Sequence, residues 1–546
     1  MTANATPAAP LAGAVVRGVG DTTAVRVALD RLRAAGCEVV AEGGRPPASA
    51  PAGRVELLAT TAGEPDDSSC DLTWAPPGST VEPEDERDVQ ALCGLAHLHG
   101  RSLGGARYLP VDYASVCAGV LASQAVMAAA TSGPVRSTVS VTGAALTAVA
   151  PHVAEAAASA DGPPARGGGP RPPFRSAEGT VFEIETLDAE AWLRFWTRLG
   201  APAAAVASGW PPFQRRFATA VCPLPGELAA TLAATPYERV RATALDTGVG
   251  VVALRPPGPA TEPGPDSPWR LRGLGGPDAR SPRAHRVGAP LAGVRVVEIT
   301  NRIQGPLAGL LLSYLGADVV RIEPPGGDPM RGVPPLAHGV SARFTALNRG
   351  KGAVEADLKS PEGREAAADL AARADVLLYN WPPGRAERFG LGTDDLAERA
   401  PGLVHVHVDG WVHEGPDAPA PATDYLVQAH GGLAHLWAAG GEPPAPSLFT
   451  VTDVLGGMIA AEAVTAALAL RTRAGTGVKA RTGLVDAARL LRGVGVGARN
   501  RGPSALLPVE DLRHVVDLFP DSFTDVDGIA HARSPWAFAP SEVARR

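Results

Sequence analysis

Two periodicities alternate along the second half of the chain. Short β-branched runs, VRVVEI (294–299), DVVRIE (318–323), DVLLYN (375–380) and LVHVHVDG (403–410), read as strands. Between them lie segments with helical patterning. PLAGLLLSYLG (306–316) has Pro at its start and Gly at its end. SPEGREAAADLAARA (360–374) has Ser360 at the N-cap, Pro361 at the first helical position and Glu362 in the first turn. Gly363 stands where a capping box needs Glu or Gln. Strands joined by helices of this length predict a parallel, doubly wound sheet in an α/β fold. Ligands of such sheets bind beyond the carboxyl ends of strands, here the loops after Ile299, Ile322 and Tyr379.

Two Pro- and Gly-rich stretches interrupt the pattern, DGPPARGGGPRPP (161–173) and the region from about 256 to 288. The expected organisation is 1–160, 170–258, a linker 259–288, and 289–546. One internal similarity crosses these boundaries. LPVDYASVCAGVLASQAVMAAATSG (109–133) lies on FTVTDVLGGMIAAEAVTAALALRTRAG (449–475), setting Gly119 on Gly457, Gln124 on Glu462 and Ser115 on Asp453.

Composition narrows the function. The 546 residues carry a net charge of −7 with no long run of one sign, which argues against nucleic-acid or membrane-surface partners. There is no uninterrupted apolar stretch of 18 residues, and the N-terminus lacks a signal-peptide pattern. Cys37, Cys70, Cys93, Cys117 and Cys222 are dispersed, with no CxxC pair, so a reducing cytoplasm is expected. His405 and His407 share a strand face, as metal ligands can, and His97 and His99 sit in AHLHG; neither pair has a convincing third ligand, and no metal is expected.

Six segments in fixed order carry a family resemblance across roughly 290–490. They are PLAGVRVVEIT, GPLAGLLLSYLGADVVRIEPPGGDPMRG, LNRGKGAVEADLKSPEGR, ADVLLYNWPPGRAERFGLG, ATDYLVQAHGGLAHL and TDVLGGMIAAEAVTAAL. This region resembles the class III CoA-transferases, which include formyl-CoA transferase and α-methylacyl-CoA racemase. PPFRSAEGTVFEIETLDAEAWLRFWTRLG (172–200) and ATALDTGVGVVALRP (242–256) resemble the start and end of that family's smaller α+β domain. The chain is therefore read as two incomplete copies fused head to tail. The first, 1–160, is a degenerate remnant of the large Rossmann-like domain. Family subunits interlock and share active sites, so the expected assembly is a homodimer or an intramolecular pseudo-dimer.

The resemblance implies acyl-CoA and a free carboxylic acid as substrates, with coenzyme A transferred through an aspartyl mixed anhydride and thioester. Asp453 matches the nucleophile, with Gly456 and Gly457 beside it and the helix start offering N–H groups to an oxyanion. A helix N-cap is the plain alternative for Asp453. Asp424 matches a second carboxylate near the thioester, or is a turn residue. Racemases of the family carry His before it; Thr423 here argues against racemisation, and His430 lies too far along to substitute. CoA contacts are expected from Arg302, Ile303, Gln304, Arg331, Arg349, Lys351, Asn380, Trp381, Arg385 and Arg388, with Pro382 replacing an Arg common in the family. Gly167 to Gly169 match a loop that covers the intermediates, or form a flexible linker. Ser115 marks a lost nucleophile in the first copy, leaving one working site per chain. Isomerisation, acyl transfer to a non-CoA acceptor, and a non-catalytic CoA-binding scaffold remain the alternatives.

Overall fold

The computed structural model describes residues 9–42, 44–63, 66, 68–133, 135–159, 170–256, 267–275, 289–411, 422–438, 442–495 and 506–540. Gly167 to Gly169 and most of the 259–288 stretch lie outside them. In the second half, seven strands line up in the order Gly352–Glu355, Asp318–Glu323, Arg295–Ile299, Val376–Tyr379, Val404–Asp409, Val478–Gly483, Arg270–Gly273. The first six pair in parallel. Central strands such as Val376–Tyr379 are buried at every position, which explains their unbroken apolar runs. The last strand, Arg270–Gly273, pairs antiparallel with Val478–Gly483, so part of the expected linker is a sheet edge.

A second, six-stranded sheet occupies the first half. Val15–Val19 lies between Glu38–Glu42, parallel to it, and Gly53–Ala59, antiparallel to it. Ser69–Thr73 and Val135–Ser140 follow, and the far edge is Trp536–Pro540, contributed by the C-terminal end of the chain. Between the halves, Phe174–Arg175, Val181–Glu185 and Gly250–Ala253 form a small antiparallel sheet backed by helices Ala189–Leu199, Ala203–Thr219, Gly226–Ala233 and Tyr237–Thr247. Trp192, Phe195, Trp196 and Phe213 fill its core.

Two short stretches of the halves match in sequence and in local hydrogen bonding, although the sheets they belong to pair differently. PLAGAVVRGVG (10–20) reads as PLAGVRVVEIT (290–300). Leu11 N–H donates to Ala35 C=O at 2.8 Å, and Leu291 N–H to Leu315 C=O at 2.8 Å. Gly36 and Gly316 both take positive φ, and a Cβ on either would strike an alanine at 2.6 or 2.8 Å. Helices Thr23–Ala34 and Gln304–Tyr314 then pack on the two long apolar helices, Tyr113–Ser132 and Val451–Ala474, which pack on each other.

Helix Val451–Ala474 has the length and hydropathy of a membrane span, yet 94% of its most apolar window is buried inside the protein. It is apolar all round because it is central. Close approach of helices needs glycine on both long helices. A Cβ at Gly119 would meet Ala24 O at 2.7 Å; one at Gly457 would meet Gln304 O at 2.8 Å. Gly457→Ala is therefore expected to cost about 1–3 kcal/mol by overpacking, measured as a lower urea midpoint at unchanged slope.

Candidate active site

Between Val451 and Leu470, every residue except Asp453 is buried. Its neighbours are pinned. Val451 N–H donates to Phe449 C=O at 2.7 Å and Val454 N–H to Thr450 C=O at 3.1 Å. Thr452 N–H and Asp453 N–H both donate to Asp424 Oδ1, at 2.7 and 3.0 Å. Thr452 Oγ1 donates to the same oxygen, and Gln428 Nε2 to Asp424 Oδ2 at 2.5 Å. Gln428 is itself fixed, accepting from Trp437 Nε1 and Ser447 N at 2.8 Å each.

This geometry revises two expectations. Asp424, 3% exposed and accepting four hydrogen bonds, caps the helix from outside and positions Asp453 through its backbone N–H. The N–H groups of the first turn are already spent, so they offer nothing to an oxyanion. Gly456 and Gly457 serve helix packing instead: a Cβ at Gly456 would lie 3.2 Å from Gln304 Nε2. Among the described residues that amide nitrogen is buried without a hydrogen-bond partner, a donor beside the helix that carries Asp453.

Asp453 itself accepts no hydrogen bond among the described residues. Burial pushes its carboxyl well above the usual range, and the Asp424 charge pushes further; Arg302 pulls back down. Glu185 raises it and Arg343 lowers it in smaller measure. Arg302 holds a positive φ of 68°, in a loop shaped by Asn380, whose Nδ2 donates to Asn301 O at 3.0 Å and whose Oδ1 accepts from Asn301 N at 3.2 Å. The Arg302 guanidinium has no hydrogen-bond partner among the described residues. Only the ionised carboxylate is nucleophilic, so rate should rise with pH through the Asp453 titration. Losing a nearby positive charge raises that pKa. Arg302→Met is thus expected to move the acid limb of the kcat profile up by roughly one pH unit; an unmoved limb would detach Arg302 from Asp453.

The other expected CoA contacts separate. Ile303, 2% exposed, packs in the core beside Gln304. Lys351 Nζ is buried and committed to Glu298 Oε2 (2.9 Å), Pro306 O (2.6 Å) and Asn348 Oδ1 (3.0 Å), leaving no donor for phosphate. Arg331 pairs with Glu323 at 2.8 Å. Trp381 is 8% exposed, packed edge-on to Phe389 at 5.2 Å, so its face is no open platform for adenine. Arg385 and Arg388 are exposed beside it, Arg385 6.0 Å above the Trp381 ring. Arg349 faces a separate cavity. His405 and His407 are buried sheet residues; His407 Nε2 lies 2.7 Å from Trp381 O.

Residues of the first half border the site. Tyr113 Oη donates to Val451 O at 2.9 Å. Arg255 N–H donates to Ala429 O at 3.1 Å, and the buried Arg216 lies 4.4 Å above the Tyr425 ring while pairing with Glu185 at 3.2 Å. The small sheet thus seats on helix Asp424–His430. Gln428, Glu185 and Arg343 were missed from sequence; Gln428 alone had a signal there, its repeat as Gln90.

In the first half the same frame holds different atoms. Glu86 accepts from Ala114 N–H (2.9 Å), Ser115 N–H (2.8 Å) and Ser115 Oγ (2.7 Å), and Gln90 Nε2 donates to it at 3.0 Å. Glu86, Gln90 and Ser115 occupy the places of Asp424, Gln428 and Asp453 at one constant spacing.

The family model described as CoA-transferase family III matches residues 291–498. The matched segment covers less than half of the 546-residue chain. This segment is 36% identical over 206 residues to a probable fatty acyl-CoA transferase of Mycobacterium tuberculosis, covering 36% of this chain and 51% of that protein. It is 34% identical over 192 residues to succinyl-CoA:glutarate CoA-transferase of Mus musculus, covering 35% and 44%. Acetyl-CoA:oxalate CoA-transferase of Acetobacter aceti is 33% identical over 201 residues, covering 36% and 51%. The chain spans about half the length of these curated relatives. A crystal structure of the mycobacterial protein aligns with a TM-score of 0.36 at 34% identity, over 38% of this chain and 58% of that one.

Proposed function

We propose that the chain transfers CoA from an acyl-CoA thioester to a free carboxylic acid, with Asp453 as nucleophile. The observation that carries this is the one uncommitted carboxylate on an otherwise buried helix start, pinned through its backbone by Asp424. Asp453 attacks the thioester carbonyl, forming a mixed anhydride and releasing CoA thiolate. The thiolate then attacks the aspartyl carbonyl, frees the donor acid and leaves an aspartyl thioester. The acceptor carboxylate reverses these two steps. Gln304 Nε2 and the Arg302 guanidinium supply donor and charge toward the developing oxyanion. Glutarate and oxalate in the relatives' names favour a small acid as acceptor.

The strand order of the 352–483 sheet supports a doubly wound large domain. The recurring hydrogen bonds support a duplicated chain whose first copy lost its nucleophile at Ser115. The seating of the small domain on Asp424–His430 supports a site completed within one chain. Hydroxylamine added during turnover of an acyl-CoA should leave a hydroxamate on Asp453 and none in Asp453→Ala. A fully turning-over enzyme that yields no adduct would rule out the covalent route.

A further inference from the structure

A cavity of about 330 Å³, whose lining does not include Asp453, lies between the helix Ala342–Asn348, the edge strand Gly352–Glu355 and the hairpin Phe523–Val526 and Ile529–Ala532. The hairpin is fastened there by Tyr314 Oη, which donates to Ala532 O at 2.6 Å. It is also held by His338 Nε2, 3.0 Å from Asp527 O. His531 lines the cavity, is 2% exposed, and has no partner on either ring nitrogen among the described residues. Leaving buried polar atoms unpaired costs stability, so a native fold that keeps two on one ring calls for a reason. Burial, together with the charge of Arg349, lowers the His531 pKa to about 4. At neutral pH the ring is therefore uncharged and presents one donor and one acceptor.

Arg349 lines the same cavity, and its guanidinium makes no hydrogen bond or ion pair among the described residues. The other cations at the walls are spent: Arg331 on Glu323, Lys351 on Glu298, and Arg321 on Glu298, Glu323 and Asp328. One acid at the walls, Glu323, is spent too, occupied by Arg331, Arg321 and the Asp328 N–H. Asp527 sits exposed at the hairpin tip. What remains is a free guanidinium beside an imidazole N–H, the donor set for an oxyanion. The cavity abuts strands Asp318–Glu323 and Gly352–Glu355, whereas Arg302 and Asn380 follow strands Arg295–Ile299 and Val376–Tyr379, the two that flank the point where the strand order reverses.

We propose that this cavity is a second anion site, in which Arg349 and His531 bind the carboxylate or phosphate group of a small metabolite outside the thioester site. The inference holds whether or not Asp453 acts on thioesters. Calorimetric titration of the full chain with inorganic phosphate, and separately with glutarate, distinguishes the two anion types. One equivalent of at least one anion should bind, with affinity unchanged by saturating CoA. Arg349→Met and His531→Phe should each weaken it by about tenfold or more. In the wild-type chain, the ring nitrogen resonances of His531 should shift during the titration, a readout that does not depend on either variant folding. Three results would each overturn the proposal: neither anion binding at millimolar concentration, binding insensitive to Arg349→Met, or displacement by CoA, which would return Arg349 to the thioester site.

Discussion

Asp453→Asn is expected to lower turnover by roughly a thousandfold or more while raising the temperature of unfolding. The loss follows because an amide cannot form the mixed anhydride. The gain follows from the direction of the pKa shift. The Asp453 carboxyl titrates well above its ordinary 3.8 because burial and the Asp424 charge oppose ionisation. A carboxyl raised on folding binds protons more tightly in the folded state, so its contribution to stability falls as pH rises from the unfolded value through the folded one. At neutral pH the native protein carries that cost, and Asn removes it. Thermal melts of both proteins at pH 7 and pH 4 test the sign. The variant should gain at pH 7, and the gap should close near pH 4. A variant no more stable than wild type at pH 7 would mean that Asp453 is not under electrostatic strain.

Glu462→Ala should have the largest effect on stability. Glu462 is fully buried in the second long helix, where Arg31 from the first half meets it with Nε at 3.1 and 3.0 Å and a further bond from Nη2. Ser123 Oγ adds a donor at 2.6 Å, and the Arg31 guanidinium lies 5.1 Å above the Trp269 ring. Truncating one partner strands the other charge in the interior, at about 3–5 kcal/mol. Replacing both, as Arg31→Met with Glu462→Leu, should regain most of the loss, because apolar pairs of similar volume fit such sites without desolvation. Urea unfolding measures both steps. A single variant that costs under about 1 kcal/mol would contradict a buried pair.

The sequence carried the parallel sheet and the reaction centre unevenly. Strands such as Val376–Tyr379 were legible because burial on both faces leaves an unbroken apolar run. The cap at Ser360 was legible because capping is local: its side chain accepts from Gly363 N–H at 3.0 Å. Asp453 was legible through motif and repeat, but its surroundings were not. Asp424 reaches its target across a loop, and nothing local in sequence says that its four acceptor contacts are filled. Lys351 and Trp381 were expected to face a ligand because of their residue types; long-range partners, Glu298 and Phe389, turned them inward. Strand Arg270–Gly273 was hidden in a Pro- and Gly-rich stretch because an exposed edge strand needs little apolar patterning.

Trp536–Pro540 closes the first sheet by pairing with Val135–Ser140, some four hundred residues earlier in the chain. On the ribosome, the Val135–Ser140 edge emerges long before its partner and stands open as a template for strand addition. The first half therefore cannot reach its final form as an early, independent unit. Nascent chains stopped short of residue 536 should be held by chaperones or aggregate, and the first sheet becomes complete only once Trp536–Pro540 has emerged to cover that edge.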